Sequence, residues 1–412
     1  MLLKDWVCLA TVAVLGPANL HGQVDSLGHW FDHHHNRDRP NYLREILPPE
    51  PAALRLPPPP PGETPPVVRG IYLNAWVFGS AKFYDLVALA DTTEINAFVI
   101  DVKDDRGYVT YPSSVPTAIS VGANSQVRVR NVRNRLAIMR EHGIYPIARI
   151  VVAKDPMLAE GKPNWAIRDS RGGLWRDALS LKWVDPNQDS VWIYAADIAA
   201  EAVTLGFREL QFDYIRFPDE PAEQMQYAIF PAHETGVSMR QVIHRQLSYL
   251  RSRAEHLGVP FTVDVFGLTT SATGDMGIGQ NWTDLVRLAD VVLPMVYPSH
   301  YPRNAYGIAF PNAEPYRIVR AALTAGLRRI EQLQASARIR PYLQSFSIRG
   351  VVYRAAELRE QIRAVEDLGL TDWVFWNASA RYPAAAFRPT ASPVRTELQR
   401  ADEATTTGSE IN

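Results

Sequence analysis

The sequence predicts an α/β fold, a single (β/α)₈ barrel, and three observations carry that expectation. From Val67 onward, short β-branched and aromatic runs alternate with amphipathic stretches, the pattern of repeated βα units. Glycines close the amphipathic stretches just ahead of the next run, and polar residues recur where the runs end. The count is eight runs with seven helical stretches between them, which fits a barrel better than a doubly wound sheet, the other architecture built from such units.

Taken in order, the strand candidates are 69–75, 97–103, 145–152, 209–217, 261–267, 291–297, 339–346 and 373–377. The helical stretches between them are 82–91, 127–142, 187–205, 239–257, 282–288, 315–333 and 355–368. Gly143, Gly206, Gly258 and Gly369 stand where a left-handed helix cap is wanted before the chain turns into the next strand. The segments that follow strands are longer and more polar. Residues 104–126 and 153–186, rich in Asp, Gly, Pro, Trp and Lys, are expected to build a site. One barrel over 67–390 accounts for the whole pattern.

The flanks read differently. Residues 1–22 look like a secretory signal peptide, with Lys4 ahead of an apolar run over 6–16 that is too short to span a bilayer. Its removal would take away Cys8, the one cysteine, so the mature chain would have neither thiol chemistry nor Cys-ligated zinc. The product is expected in the periplasm or the medium, without stable membrane insertion; an uncleaved leader would instead act as an anchor. Residues 23–66 read as a Pro-rich tether of polyproline II character and 391–412 as a disordered tail. Three consecutive histidines, His33 to His35, cannot converge on one ion, and neither a metal nor a cofactor is implied. With 43 Lys+Arg against 44 Asp+Glu, no polyanion-binding surface is marked, so nucleic acid is not an expected partner.

In a barrel the carboxyl ends of the strands converge on one mouth. Here those ends supply Asn74, Asp101 with Lys103 and Asp104, Arg149, Asp213 with Arg216, Asp264, Tyr297 with His300, Gln344 with Ser345, and Trp376 with Asn377. Asp213 is the focus, because it lies in the middle of an apolar run whose Leu210, Phe212, Ile215 and Phe217 suit a strand buried on both faces. An ionised carboxylate there must be paired or open to a cleft. Packing against Arg216 or another arginine is the structural alternative.

Acids, amides, cations and aromatics suit a polar organic substrate. Cleavage of a glycosidic bond needs two carboxyl groups, one protonated and one ionised. Asp213 on the fourth strand and Asp264 on the fifth form the candidate catalytic pair. Asp264 has an alternative role as a buried partner of Arg149 or Arg216, and Glu220 and Asp275 are other candidate acids. Alternation places Asp101 and Lys103 on one face, where they would pair and hold sugar hydroxyls. Arg149, Arg216 and the amides Gln344 and Asn377 complete the candidate binding set. Tyr297 and Trp376 are candidates for stacking on a pyranose, and His300 for polarising a hydroxyl. The stretch Asp104-Asp105-Arg-Gly107 reads as a turn.

Several of these segments resemble one known group. Val68-Arg-Gly-Ile-Tyr-Leu73, Thr93-Glu-Ile-Asn-Ala-Phe-Val-Ile-Asp-Val-Lys-Asp104, Leu210-Gln-Phe-Asp-Tyr-Ile-Arg-Phe-Pro218, Asp264-Val-Phe-Gly267 and Pro294-Met-Val-Tyr-Pro-Ser-His-Tyr301 are together similar to the bacterial family described as a putative glycosyl hydrolase domain. The resemblance, over roughly Val67 to Pro389, implies a catalytic (β/α)₈ barrel related to the amylase and α-galactosidase groups, with Asp213 at the fourth-strand nucleophile. The chain departs from amylases in carrying Gln211 where they carry arginine and Asp264 where they carry glutamate. It departs from α-galactosidases in having no carboxylate in 291–297. The expectation is an exported glycoside hydrolase acting on a polysaccharide or oligosaccharide. A non-catalytic carbohydrate-binding barrel of the cell envelope is the alternative, followed by a metal-dependent polysaccharide deacetylase.

Overall fold

The computed structural model describes Pro65 and residues 67–390. The expected leader at 1–22, all but Pro65 of the tether at 23–66, and the tail at 391–412 lie outside them. The described residues form a closed barrel of eight parallel staves: β1 (Arg69–Leu73), β2 (Ala97–Lys103), β3 (Tyr145–Val151), β4 (Glu209–Asp213), β5 (Phe261–Phe266), β6 (Val291–Met295), β7 (Arg338–Ile339 and Tyr342–Gln344) and β8 (Trp373–Trp376). Closure is made by Arg69, Gly70 and Ile71 of β1 pairing in parallel with Trp373, Val374 and Phe375 of β8. The doubly wound alternative is thereby excluded.

Seven helices alternate with the staves: α1 (Lys82–Thr92), α2 (Val132–Glu141), α3 (Asp189–Leu205), α4 (Met239–Leu257), α5 (Trp282–Leu288), α6 (Pro315–Leu333) and α7 (Ala355–Glu366). Their faces follow from sequence spacing. In α6, Ile318, Val319, Ala322, Leu323 and Gly326 recur at the helical period and are buried. Each large aliphatic so buried contributes about 1.5–3 kcal/mol. Gly326 has a further reason to lack a side chain, since a Cβ there would lie 3.0 Å from the ring of the buried Trp282. Gly143, Gly206, Gly258 and Gly369 all adopt positive φ at the ends of their helices, as the cap argument requires.

Most strands end a residue or two before their hydrophobic runs, and two depart further. β4 stops at Asp213, which is its last residue and not its middle, because Tyr214 turns to φ +53°. The apolar side chains beyond it belong to a loop. β7 is broken at Arg340-Pro341, where proline cannot donate to a ladder.

The barrel interior is layered. At the amino-terminal end Arg340 meets Glu209 with both side chains fully buried. Above lie apolar residues such as Val99, Ile147, Leu293 and Val374. Polar residues fill the carboxyl-terminal layer. One side of that mouth is raised into a wall by the segments after β3 and β4. A two-residue antiparallel ribbon joins Arg168–Asp169 to Ala228–Ile229, over a small core of Ile167, Trp175 and Trp183 packed with Tyr214, Met225 and Phe230.

Candidate active site

Arg149, near the end of β3, is the centre of the upper layer. Its Nη1 donates to Asp101 Oδ1 at 2.5 Å, its Nη2 to Asp213 Oδ2 at 2.5 Å, and its Nε to the same Asp213 oxygen at 3.1 Å. The Nε also lies 3.7 Å from Asp264 Oδ2. Three carboxyl groups from β2, β4 and β5 therefore share one guanidinium, whose planar fork suits such a role. The strand register puts them there, since β2 pairs Asp101 with Arg149, and Phe212 of β4 faces Val263 of β5 one step before the two aspartates.

The three carboxyls have different surroundings. Asp213 Oδ1 accepts the backbone N–H of Tyr214 at 2.6 Å, a contact that the left-handed conformation of Tyr214 presents. Such backbone strain in a non-glycine residue is found where a site needs a particular geometry. Asp101 accepts a short hydrogen bond from the Tyr72 hydroxyl, and burial raises the pKa of both groups. Asp264 is 1% exposed; Gln211 Nε2 donates to its Oδ2 at 2.9 Å, and its Oδ1 has no partner. Burial, then the neighbouring Asp213 charge, raise its carboxyl well above the usual range, against the opposing pull of Arg149. Burial thus favours the acid form of Asp264.

Aromatic rings close the mouth opposite the loop wall. Trp376 stacks on Tyr72 at 5.8 Å, while Tyr297 contacts Trp376, Phe346 and His300. The Trp376 face toward Tyr72 is occupied by the protein. Tyr297 is buried, and that burial raises its hydroxyl well above the usual range. His300 shares a hydrogen bond with Ser299 at 3.0 Å and is pushed down to about 4 by burial and Arg349, so it is neutral above that pH.

The structure brings Asp101, Arg149, Asp213, Asp264, Tyr297, His300 and Trp376 to this mouth and spends the remaining candidates elsewhere. Lys103 does not pair with Asp101. A β-bulge between them breaks the alternation, and Lys103 turns out to the helix layer, where it meets Asp155 at 2.7 Å and the ring of Tyr194. Arg216 binds Asp219 at 2.8 Å rather than Asp213, with its guanidinium over the rings of Tyr214 and Phe266. Gln344 accepts from Ser299 N and donates to Phe346 O, and Asn377 donates to Ser345 O and Arg381 O, so both amides hold loops together.

Of the Asp104–Gly107 turn, Asp104 does serve as a turn residue, accepting from the N–H groups of Arg106 and Tyr108. A Cβ at Gly107, which sits at φ +87°, would strike Asp155. Tyr72 and Gln211 were not among the candidates. An inward tyrosine one residue before the end of β1, and an amide two residues before Asp213, are visible in the sequence only once the inner face of each stave is known. Glu220 lies in the loop wall, where burial and the carboxylates of Asp177 and Asp219 raise it to about 7. Within the described residues, no helix is long and apolar enough to cross a membrane.

The described residues thus form a closed (β/α)₈ barrel with a buried carboxylate–arginine cluster at the carboxyl end of its strands. The chain belongs to the family described as "putative glycosyl hydrolase domain", whose model matches residues 70–382. Among solved structures, a hypothetical protein from Ruminiclostridium thermocellum is 40% identical over 47% of this chain and 97% of its own, with a TM-score of 0.42. The glycoside hydrolase domain of PgaB (BpsB) from Bordetella bronchiseptica shares the fold, with a TM-score of 0.55 at 14% identity over 78% of this chain and 99% of its own. No curated protein matches the sequence.

Proposed function

We propose that the protein is an exported glycoside hydrolase that cleaves a polysaccharide or oligosaccharide with two carboxyl groups, Asp213 as nucleophile and Asp264 as general acid. The observation that carries this reading is the divergence of two neighbouring carboxyls around one arginine. Asp213 is bonded to Arg149 and a backbone N–H, whereas Asp264 is buried beside it with one oxygen unpartnered, where burial favours its acid form. Asp213 attacks the anomeric carbon as its bond to the leaving oxygen breaks, and Asp264 gives that oxygen its proton. Asp264, then ionised, takes a proton from the water that releases the sugar.

Asp213 Oδ2 and Asp264 Oδ2 lie 3.1 and 3.7 Å from one Nε of Arg149, so both carboxyls border the same edge of its guanidinium. Asp101 and Tyr72, bonded to each other beside the pair, are the groups placed to hold sugar hydroxyls. The leader-like segment at 1–22 supports export.

The test is reducing-sugar release by the chain from Gln23 onward across bacterial envelope and plant polysaccharides, beside Asp213→Asn and Asp264→Asn. Release that disappears in both variants is the expected result. Binding to a polysaccharide without release, unchanged in both variants, would replace this reading with a carbohydrate-binding barrel.

A further inference from the structure

Asp264 and Gln211 contain an unsolved hydrogen-bonding problem. Gln211 Nε2 donates to Asp264 Oδ2 at 2.9 Å and lies 2.8 Å from the Tyr342 hydroxyl. The other oxygen of each group, Gln211 Oε1 and Asp264 Oδ1, is buried without a partner. Both are acceptors when Asp264 is ionised, and two buried acceptors on a pair already joined by one bond leave both unsatisfied. A proton on Asp264 turns one of its oxygens into a donor, and a carboxylic acid and a primary amide are complementary donors and acceptors that can close two hydrogen bonds.

Reversing the amide leads to the same place. Gln211 Oε1 would then face Asp264 Oδ2 at the observed 2.9 Å, and two oxygens at that distance need a proton between them. We propose that Gln211 and Asp264 form a closed carboxylic acid–amide pair, with the Asp264 proton donated to the Gln211 carbonyl, and that Gln211 is the positioning residue that stores this proton in the barrel. The inference rests on the reading of Asp264 as the acid and supplies what that reading lacks, a reason for the proton to stay in place between turnovers.

The groups facing the pair are Asp101 from β2, Arg149 from β3, Asp213 from β4, Tyr342 from β7 and Tyr297 from the segment after β6. Asp213 and Asp101 favour the acid form and Arg149 favours the ionised form. The donor half of the Gln211 amide stabilises the carboxylate, and the acceptor half stabilises the acid. Its unpartnered carbonyl oxygen decides between them.

Infrared spectroscopy of the unliganded protein tests the assignment without any sugar. The wild-type chain is expected to show a protonated-carboxyl stretch at neutral pH that Asp264→Asn lacks, so that it appears in the difference between the two spectra, apart from Asp104 and Glu220, which burial raises to about 7. In Gln211→Met, which removes both halves of the amide, the band should ionise at lower pH, with proton affinity reduced about tenfold or more. Gln211→Glu, which returns a proton-sharing partner of the same shape, should restore it. Circular dichroism establishes that each variant is folded, and the wild-type and Asp264→Asn spectra decide the protonation even if Gln211→Met does not fold. Absence of the band from wild type, or an unmoved midpoint in a folded Gln211→Met, would overturn the proposal. Because the readout uses no turnover, its failure is distinct from failure of the glycosidase reading.

Discussion

Glu209 and Asp213 stand at the two ends of β4, both inward and both bonded to an arginine, yet the layers they occupy are balanced differently. At the amino-terminal end, Arg340 meets both oxygens of Glu209, at 2.5 and 3.3 Å, while Asp372 lies 3.7 Å from Arg340 and 3.4 Å from Arg338. Two carboxylates face two cations. At the carboxyl-terminal end three carboxyls, from β2, β4 and β5, face Arg149 alone. A balanced buried cluster is spent on cohesion. An unbalanced one keeps perturbed protonation states available for chemistry, which is where a catalytic site is expected.

Activity separates the two ends most sharply. Asp213→Asn should lower glycoside cleavage at least about 10³-fold, and Asp264→Asn by about 10²–10⁴-fold, measured as kcat/KM on whichever polysaccharide is cleaved. Arg340→Met should leave kcat/KM of the folded enzyme within a few-fold. Its cost falls on stability, about 3–5 kcal/mol in denaturant unfolding, because Glu209 is left buried without its partner. Equal loss of activity in Arg340→Met would break the comparison.

Lys103→Met sharpens it from a third position. Its partner Asp155 is buried in the helix layer, so the loss should again appear as stability, on the order of 3 kcal/mol, with KM unchanged. A raised KM would return Lys103 to the sugar site.

The smallest effect concerns Glu220. Its carboxyl is raised from 4.5 to about 7 in the folded chain, so the folded state binds the proton more tightly than the unfolded one. Stability from this group is complete below about pH 4.5 and declines as pH rises through about 7. Glu220→Gln should remove that decline and stabilise the protein at pH 8 by about 1–3 kcal/mol, read from unfolding at pH 5 and 8. A wild-type stability that rises over this interval because of Glu220 would contradict the assignment.

The barrel was legible because its signals are local. Strand runs, amphipathic stretches and capping glycines each follow from residues near in sequence, and α4, α5 and α6 begin and end where their patterns do. The upper layer was legible in part. Asp101, Arg149, Asp213 and Asp264 stand out as charges at the ends of apolar runs, but which of them meet depends on register between strands distant in the chain. Lys103 shows the limit: alternation places it beside Asp101, and one bulge reverses it. The left-handed turn at Tyr214 was equally hidden, since neither a bulge nor a positive φ at tyrosine has a composition signal. Gln344 and Asn377 show a second limit. An amide at a strand end looks the same whether it faces a substrate or the carbonyls of its own loops.

The contrast between the two ends of β4 can be tested without knowing the sugar, by denaturant unfolding of Asp213→Asn beside Glu209→Gln at neutral pH. Asp213→Asn relieves an excess of negative charge around Arg149 and should retain wild-type stability to within about 1 kcal/mol, whereas Glu209→Gln should lose about 3–5 kcal/mol. If instead Asp213→Asn is destabilised as much as Glu209→Gln, the upper cluster is a cohesive ion network like the lower one, and its assignment as the catalytic centre is contradicted.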